Sequence, residues 1–218
     1  MARFLAMRFY RTFDDVLRNR SHVSILRALE ELPEGFQVPA REAARRASVS
    51  HTTASFVLQH LSELGVVHVR RTILSDFYEL NRSHAAAPQL VELFEWERGA
   101  LDELKTFLRQ QLQRRAKSVS AAYLFGSAVR GDMRDDSDID LAVICPPNRR
   151  EQVQEAMAEL DEAVRMRYGN RLNTIIGTAP LERMSRGRTG RARLWKRVVE
   201  GQPILEPARR RKSVAATG

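Results

Sequence analysis

The chain has 218 residues, with 36 Lys and Arg against 27 Asp and Glu, a net charge of +9 and five histidines. This length supports two small cores rather than one large one. The absence of an 18-residue apolar run excludes a membrane-spanning helix, and a single cysteine, Cys145, excludes an internal disulfide. Residues Met1–Tyr10 are apolar but interrupted by Arg3 and Arg8, and they lack a secretion-type core and cleavage site. A cytoplasmic protein is the expectation, with no membrane partner. The histidines are scattered without metal-ligand spacing and read as surface or cap residues.

Residues 21–83 predict three helices followed by a β-hairpin. Ser21 is placed to cap a first helix whose apolar positions are Val23, Ile25, Leu26 and Leu29. A second helix starts after Pro39, near Ala40–Ala47, and Ser48-Val49-Ser50 forms a tight turn with Ser50 as the next N-cap. The third helix carries Ala54, Val57, Leu58, Leu61 and Leu64 at helical spacing, and Gly65 stops it. Val66–Arg70 and Asp76–Leu80 alternate as two strands. This order, with Arg41–Ala47, the Ser48–Ser50 turn and Thr52-Thr53, resembles the winged helix-turn-helix modules of prokaryotic regulators. The resemblance implies base contacts from Ser50, His51, Thr52, Thr53 and Ser55, and phosphate contacts from Arg70 and Arg71 with Arg45 and Arg46. The third helix holds no Lys or Arg, so bidentate guanine contacts do not come from it. DNA binding and a purely structural or docking role both fit this module.

Pro88–Lys117 predicts a long amphipathic connecting helix with a break near Gly99. Its stripe, from Leu90, Leu93 and Phe94 to Leu108 and Leu112, suits packing against the flanking domains or a homodimer seam, with Trp96 off the stripe.

The most informative segment follows. Ala121–Phe125 reads as a short buried strand, Gly126-Ser127 ends it, and Ala128-Val129-Arg130 opens a helical turn. Ten residues separate Ser127 from Asp138, which lies beside the apolar run Ile139–Ile144 that Pro146-Pro147 terminates. Residues two apart on a strand share a face, so Asp138 and Asp140 project together. Paired carboxylates suit a hard divalent cation, Mg²⁺ or Mn²⁺, that also takes phosphate oxygens. Glycine permits close backbone approach, and the Ser127 hydroxyl and the following amides can meet phosphate, with Arg130 as a further contact.

Gly-Ser, about a dozen residues, then Asp-x-Asp resembles the signature of the small prokaryotic DNA-polymerase-β-like nucleotidyltransferases. The resemblance covers roughly residues 118–205. It implies a nucleoside triphosphate held by Gly126 and Ser127, and catalytic metals ligated by Asp138 and Asp140. It also implies a third carboxylate on a later strand. After a helix at Arg150–Tyr168, the strand Arg171–Gly177 carries Asn173 there, while Asp161 and Glu182 lie elsewhere. Asn accepts a hydrogen bond but is no base near neutral pH. Two outcomes fit: a metal-dependent transferase moving a nucleoside monophosphate onto a hydroxyl, or a DNA-binding regulator whose transferase-like domain only senses nucleotide. Relatives of this kind also imply a protein or tRNA acceptor and a toxin–antitoxin setting.

Arg183, Arg186, Arg188, Arg191, Arg193, Lys196 and Arg197 form a basic stretch, and Arg209–Lys212 a second one in a tail without apolar periodicity. Such stretches favour polyanions, or else form a solvated helical face. The expected architecture is α+β: a winged helix-turn-helix domain (1–85), a connecting helix (86–117), a small mixed-sheet nucleotidyltransferase domain (118–205) and a basic disordered tail (206–218).

Overall fold

A computed structural model describes residues 12–134 and 136–206, so Met1–Tyr10 and the Arg209–Lys212 cluster lie outside the described residues. The chain divides into two compact units, residues 1–99 and 100–218, each with its own core.

The first unit contains α1 (Thr12–Val16), α2 (Arg20–Glu30), β1 (Val38–Pro39), α3 (Ala40–Arg46), α4 (His51–Glu63), β2 (Val67–Arg71) and β3 (Asp76–Leu80). The strands form an antiparallel sheet in the order β1-β3-β2. Apolar residues at helical spacing pin α2 and α4 into the core through Ile25, Leu26, Leu29, Val57, Leu58 and Leu61. Asn19, not Ser21, caps α2: its side-chain oxygen accepts the amides of Ser21 (3.0 Å) and His22 (3.2 Å). Both residue types cap well, and the helix simply begins two residues earlier than the apolar stripe suggests. Ser50 caps α4 as expected, accepting the Thr53 amide at 3.0 Å. Ser48 takes φ 53°, which closes the turn between α3 and α4, and the Val49 amide returns to the Ala44 carbonyl at 3.0 Å.

The histidines are not all surface residues. His22 is fully buried, its Nδ1 lies 3.0 Å from Asn19 Oδ1 and its Nε2 lies 3.0 Å from His60 Nδ1 on α4. Burial first, then the charges of His60 and Arg18, lower the pKa of His22 to about 4.

α5 (Ala87–Arg115) is continuous, without the break expected near Gly99. One glycine in a long helix weakens it by about 1 kcal/mol, which packing of the neighbouring turns overrides. Gly99 instead marks the boundary between the units: Leu90 and Phe94 belong to the first core, while Leu104, Leu108 and Leu112 belong to the second. The helix thus contributes one end to each core.

The second unit continues with β4 (Ala121–Phe125), α6 (Ser127–Arg130), β5 (Ile139–Ile144), α7 (Arg150–Tyr168), β6 (Leu172–Gly177), α8 (Leu181–Met184), α9 (Gly190–Val199) and β7 (Gln202–Leu205). The mixed sheet runs β6-β5-β4-β7; β4 is antiparallel to β5 and β7, whereas β5 and β6 are parallel and joined through α7. One face, with Leu124, Ile139, Leu141 and Val143, packs with Leu108 and Leu112 of α5 and Met157 and Leu160 of α7. The other face, with Phe125 and Ala142, packs with Trp195 and Val198 of α9. Edge strand β7 was not anticipated; its Pro203 suits an edge, where a missing N–H is tolerated. Among the described residues, no helix is long and apolar enough to cross a membrane.

Candidate active site

Strand alternation gives β5 two different faces. Ile139, Leu141 and Val143 turn into the α5–α7 core, so Asp138, Asp140 and Ala142 belong to the opposite face. Asp138 lies just before the first residue of β5 and is exposed, while Asp140 is half-buried. The approach to Asp138 is fixed by hydrogen bonds on both sides. The Ile139 amide donates to the Arg171 carbonyl at 2.8 Å, and Asn170 Nδ2 donates to the Ser137 carbonyl at 3.1 Å. The Arg134 amide donates to Ser137 Oγ at 2.8 Å. Ser137 and Asn170 were not singled out in the sequence, because their role depends on a loop-to-loop contact that spans 33 residues.

Asp140 is held between two neighbours. In the antiparallel register it lies opposite Phe125, which brings the next residue, Gly126, against its carboxylate. Gly126 has φ 78° and ψ −150°, a region open essentially to glycine alone. A Cβ built there would stand 2.1 Å from Asp140 Oδ2. On the other side, parallel pairing places Asn173 directly beside Asp140, and Asn173 Nδ2 donates to Asp140 Oδ1 at 2.7 Å. Asn173, where the resemblance implies a third acid, is therefore a hydrogen-bond donor to Asp140. Asp161 is committed elsewhere: Oδ1 accepts the Leu172 amide at 2.7 Å, and Oδ2 accepts from Arg165 at 2.9 Å. Among the described residues, no cluster of three or more His, Cys, Asp or Glu suited to a metal is present.

Ser127 opens α6 and is half-buried, with its carbonyl accepting the amides of Gly131 (3.0 Å) and Asp132 (3.2 Å). The first turn of any helix leaves amides without partners inside the helix, and here that turn directly follows Gly126. Arg130 is exposed and its Nε lies 3.2 Å from Asp132 Oδ2, so a phosphate would compete with that exposed ion pair.

A cavity of about 320 Å³ lies at the other end of β5, lined by Ile144, Cys145, Thr178, Leu181 and Glu182 among others. Neither aspartate lines it, and Glu182 sits there rather than with them. Cys145 is buried, which pushes its thiol pKa up and leaves it a poor nucleophile.

In the first unit, His51 and Thr52 are exposed at the start of α4, whereas the Ser50 and Thr53 hydroxyls bond each other at 2.7 Å. Arg70 donates to Gln37 at 2.6 Å and stacks over Phe77, and Arg71 is exposed. Arg45 and Arg46 both pair with Glu42, whose pKa they hold at about 2, the Arg45 hydrogen bond being the largest influence.

Comparison with curated proteins gave no match, and neither did comparison with solved structures. The family model described as polymerase beta, nucleotidyltransferase matches residues 106–180, which include Gly126-Ser127, Asp138, Asp140 and Asn173. This match supports a nucleotidyltransferase-type domain in the second unit, with a nucleotide as its substrate.

Proposed function

We propose that the second unit transfers a nucleoside monophosphate from a nucleoside triphosphate to a hydroxyl acceptor, with Asp138 and Asp140 as the metal-binding pair. The observation that carries this reading is the seating of the Asp140 carboxylate against Gly126, at the junction where β4 delivers the Gly-Ser turn. The donor set is two hard carboxylates beside a turn with free helix-start amides, which fits Mg²⁺ or Mn²⁺ that shares its coordination with phosphate oxygens. Such an ion, when bound, supplies charge neutralisation of the triphosphate and of the departing pyrophosphate. Gly126 lets the turn and the carboxylate approach each other; the Ser127 hydroxyl and the α6 amides hold phosphate oxygens, and Arg130 adds a charge at the rim. The acceptor oxygen attacks the α-phosphorus, a new O–P bond forms, the α–β P–O bond breaks and pyrophosphate leaves. Asn173 cannot take the hydroxyl proton, so it passes to solvent water. Asn173 instead fixes the rotamer of Asp140 through its 2.7 Å bond.

The first unit, on this reading, is a DNA-binding winged helix-turn-helix module. Its support is the α2-α3-α4 succession, the tight Ser48 turn, the β2–β3 hairpin and the exposed His51, Thr52 and Arg71. The same Asn173 bond favours a second reading, a DNA-binding regulator whose impaired transferase domain senses nucleotide. A protein or tRNA acceptor belongs to the first reading alone, whereas a homodimer and a toxin–antitoxin setting suit both.

Incubation with labelled nucleoside triphosphates, Mg²⁺ or Mn²⁺ and cell lysate tests the first reading. A macromolecule becomes labelled by the wild-type chain and not by Asp138→Ala/Asp140→Ala. Labelling that survives the double substitution rules out the site assignment. Metal-dependent nucleotide binding without any labelling transfers support to the sensor.

A further inference from the structure

The basic stretch seen in the sequence acquires a location. Arg183 lies on α8, Arg186 and Arg188 in the following loop, and Arg191, Arg193, Lys196 and Arg197 on α9. All seven are exposed, and among the described residues none of them forms an ion pair with an acid. Several guanidinium groups elsewhere are neutralised: Arg27 with Glu97, Arg98 with Glu30, Arg115 with Glu159, Arg165 with Asp161 and Arg167 with Glu103. Exposed cations without an acid partner also occur elsewhere, among them Arg71, Arg114 and Arg150; what sets this segment apart is that seven of them follow one another between Arg183 and Arg197 without an intervening acid.

The segment also lies on the reacting face. Ala192, Trp195 and Val198 recur every third residue and are buried, and Trp195 and Val198 pack with Phe125 and Ala142. Ala142 shares its strand face with Asp138 and Asp140, and Ile175, packed with the same cluster, shares its face with Asn173. Thus α9 covers the sheet face that carries the aspartates, and its apolar side forces the cations outward. A ten-residue helix is about 15 Å long; with the preceding loop, the cations extend over a run suited to several successive phosphates rather than one triphosphate. Six of the seven are Arg, the residue whose planar fork matches phosphate oxygens.

We propose that the α8–α9 surface binds the phosphodiester backbone of a nucleic-acid strand, whose terminal hydroxyl is the acceptor at Asp138 and Asp140. The inference rests on the transfer reading above for its second half, but the binding itself does not. No exposed aromatic side chain accompanies the cations, since Trp195 is buried, so recognition is of backbone and independent of base sequence.

Fluorescence anisotropy with the full chain and fluorescent 20-nucleotide single strands, one RNA and one DNA of the same sequence, tests the binding over a salt series. Substituting Arg186, Arg188, Arg191 and Arg193 together by Gln lowers affinity at least 30-fold at low salt. It also reduces the slope of log K against log salt by about 3, at roughly 0.7 per lost contact. The corresponding Arg→Lys set, which keeps the charge, retains most of the binding and reports that the fold is intact. A matched control removes four exposed cations on the same unit, Arg114, Lys117, Arg149 and Arg150, and changes affinity less than threefold. Retention of RNA alone identifies an RNA acceptor, retention of DNA alone a DNA acceptor, and both outcomes support the proposal. An equal loss in the control set, equal competition by polyglutamate, or a loss of tripolyphosphate binding without loss of strand binding overturns it. Asp138→Asn/Asp140→Asn leaves strand binding intact, so failure of transfer and failure of this surface are separately visible.

Discussion

Replacing Gly126 by Ala isolates what the glycine does, because Gly131 provides a matched reference four residues beyond α6's start. Both have positive φ, 78° and 75°, so both penalise an L side chain. Gly131 is an ordinary left-handed helix terminus, and a Cβ there meets nothing within 4 Å. Gly131→Ala therefore costs only the backbone term, about 1–2 kcal/mol of stability. Gly126→Ala carries a comparable or larger backbone term, about 1–3 kcal/mol, and a clash: the added Cβ lies 2.1 Å from Asp140 Oδ2 and 3.0 Å from its carboxyl carbon. Ordinary contact requires the carboxylate to retreat by about 1 Å, and a displacement of that size in a reacting group lowers rate on the order of 100-fold. The retreat also breaks the 2.7 Å bond from Asn173. Urea unfolding of both variants, with Mn²⁺ binding followed by paramagnetic resonance and transfer by label incorporation, separates the two effects. Gly126→Ala is expected to lose at least as much stability as Gly131→Ala, with metal binding and transfer lost only in Gly126→Ala. Equal metal binding by the two variants would refute the view that this glycine exists to admit the aspartate.

Two further outcomes follow from named contacts. Asn173→Asp places a third carboxylate beside Asp140, in direct register with it; transfer rises on the order of 10-fold or more if the acceptor proton is limiting, and an unchanged rate with unchanged Mn²⁺ affinity argues that Asn173 is not at the metal. His22, fully buried, stays neutral in the folded chain down to about pH 4, while the unfolded chain takes up the proton near 6.5. The unfolded state thus binds more protons between these values, so stability is complete above about pH 6.5 and falls by about 3 kcal/mol as pH drops to 4. Urea titrations of wild-type and His22→Gln at pH 7 and 4.5 check this, the variant losing less on acidification; parallel losses would show that His22 does not titrate in this window.

The elements whose pattern is set by local chemistry were legible from the chain. Strand β4 and helix α7 fall where the sequence places them, since a buried apolar run between a helix end and Gly-Ser leaves little choice, and α7 is bounded by Arg150 and Gly169. Asn173 is located through the resemblance, which implies a third carboxylate on the strand after α7; the parallel register of β5 and β6 then sets it beside Asp140. Contacts that depend on distant segments were not legible. The His22–His60 bond joins residues 38 apart, and each histidine alone resembles a surface residue. Strand β7 is four residues long with a proline, too short to rise above a loop signal before β4 offers it an edge.

The basic stretch shows the same division most clearly, because its charge was visible and its meaning was not. A run of cations without acids is equally consistent with a solvated helix and with a binding face. What separates them is the direction of α9. Trp195 has to be buried, and the sheet face available to it, bordered by Phe125 and Ala142, is the one that also presents Asp138 and Asp140. Burying the aromatic side chain therefore turns the arginines of α9 outward on that side of the sheet, and among the described residues none of them pairs with an acid. Cations kept unpaired on the face that holds a two-aspartate site are placed to receive an anion from outside the chain, and an extended polyanion neutralises more of them at once than a single triphosphate can.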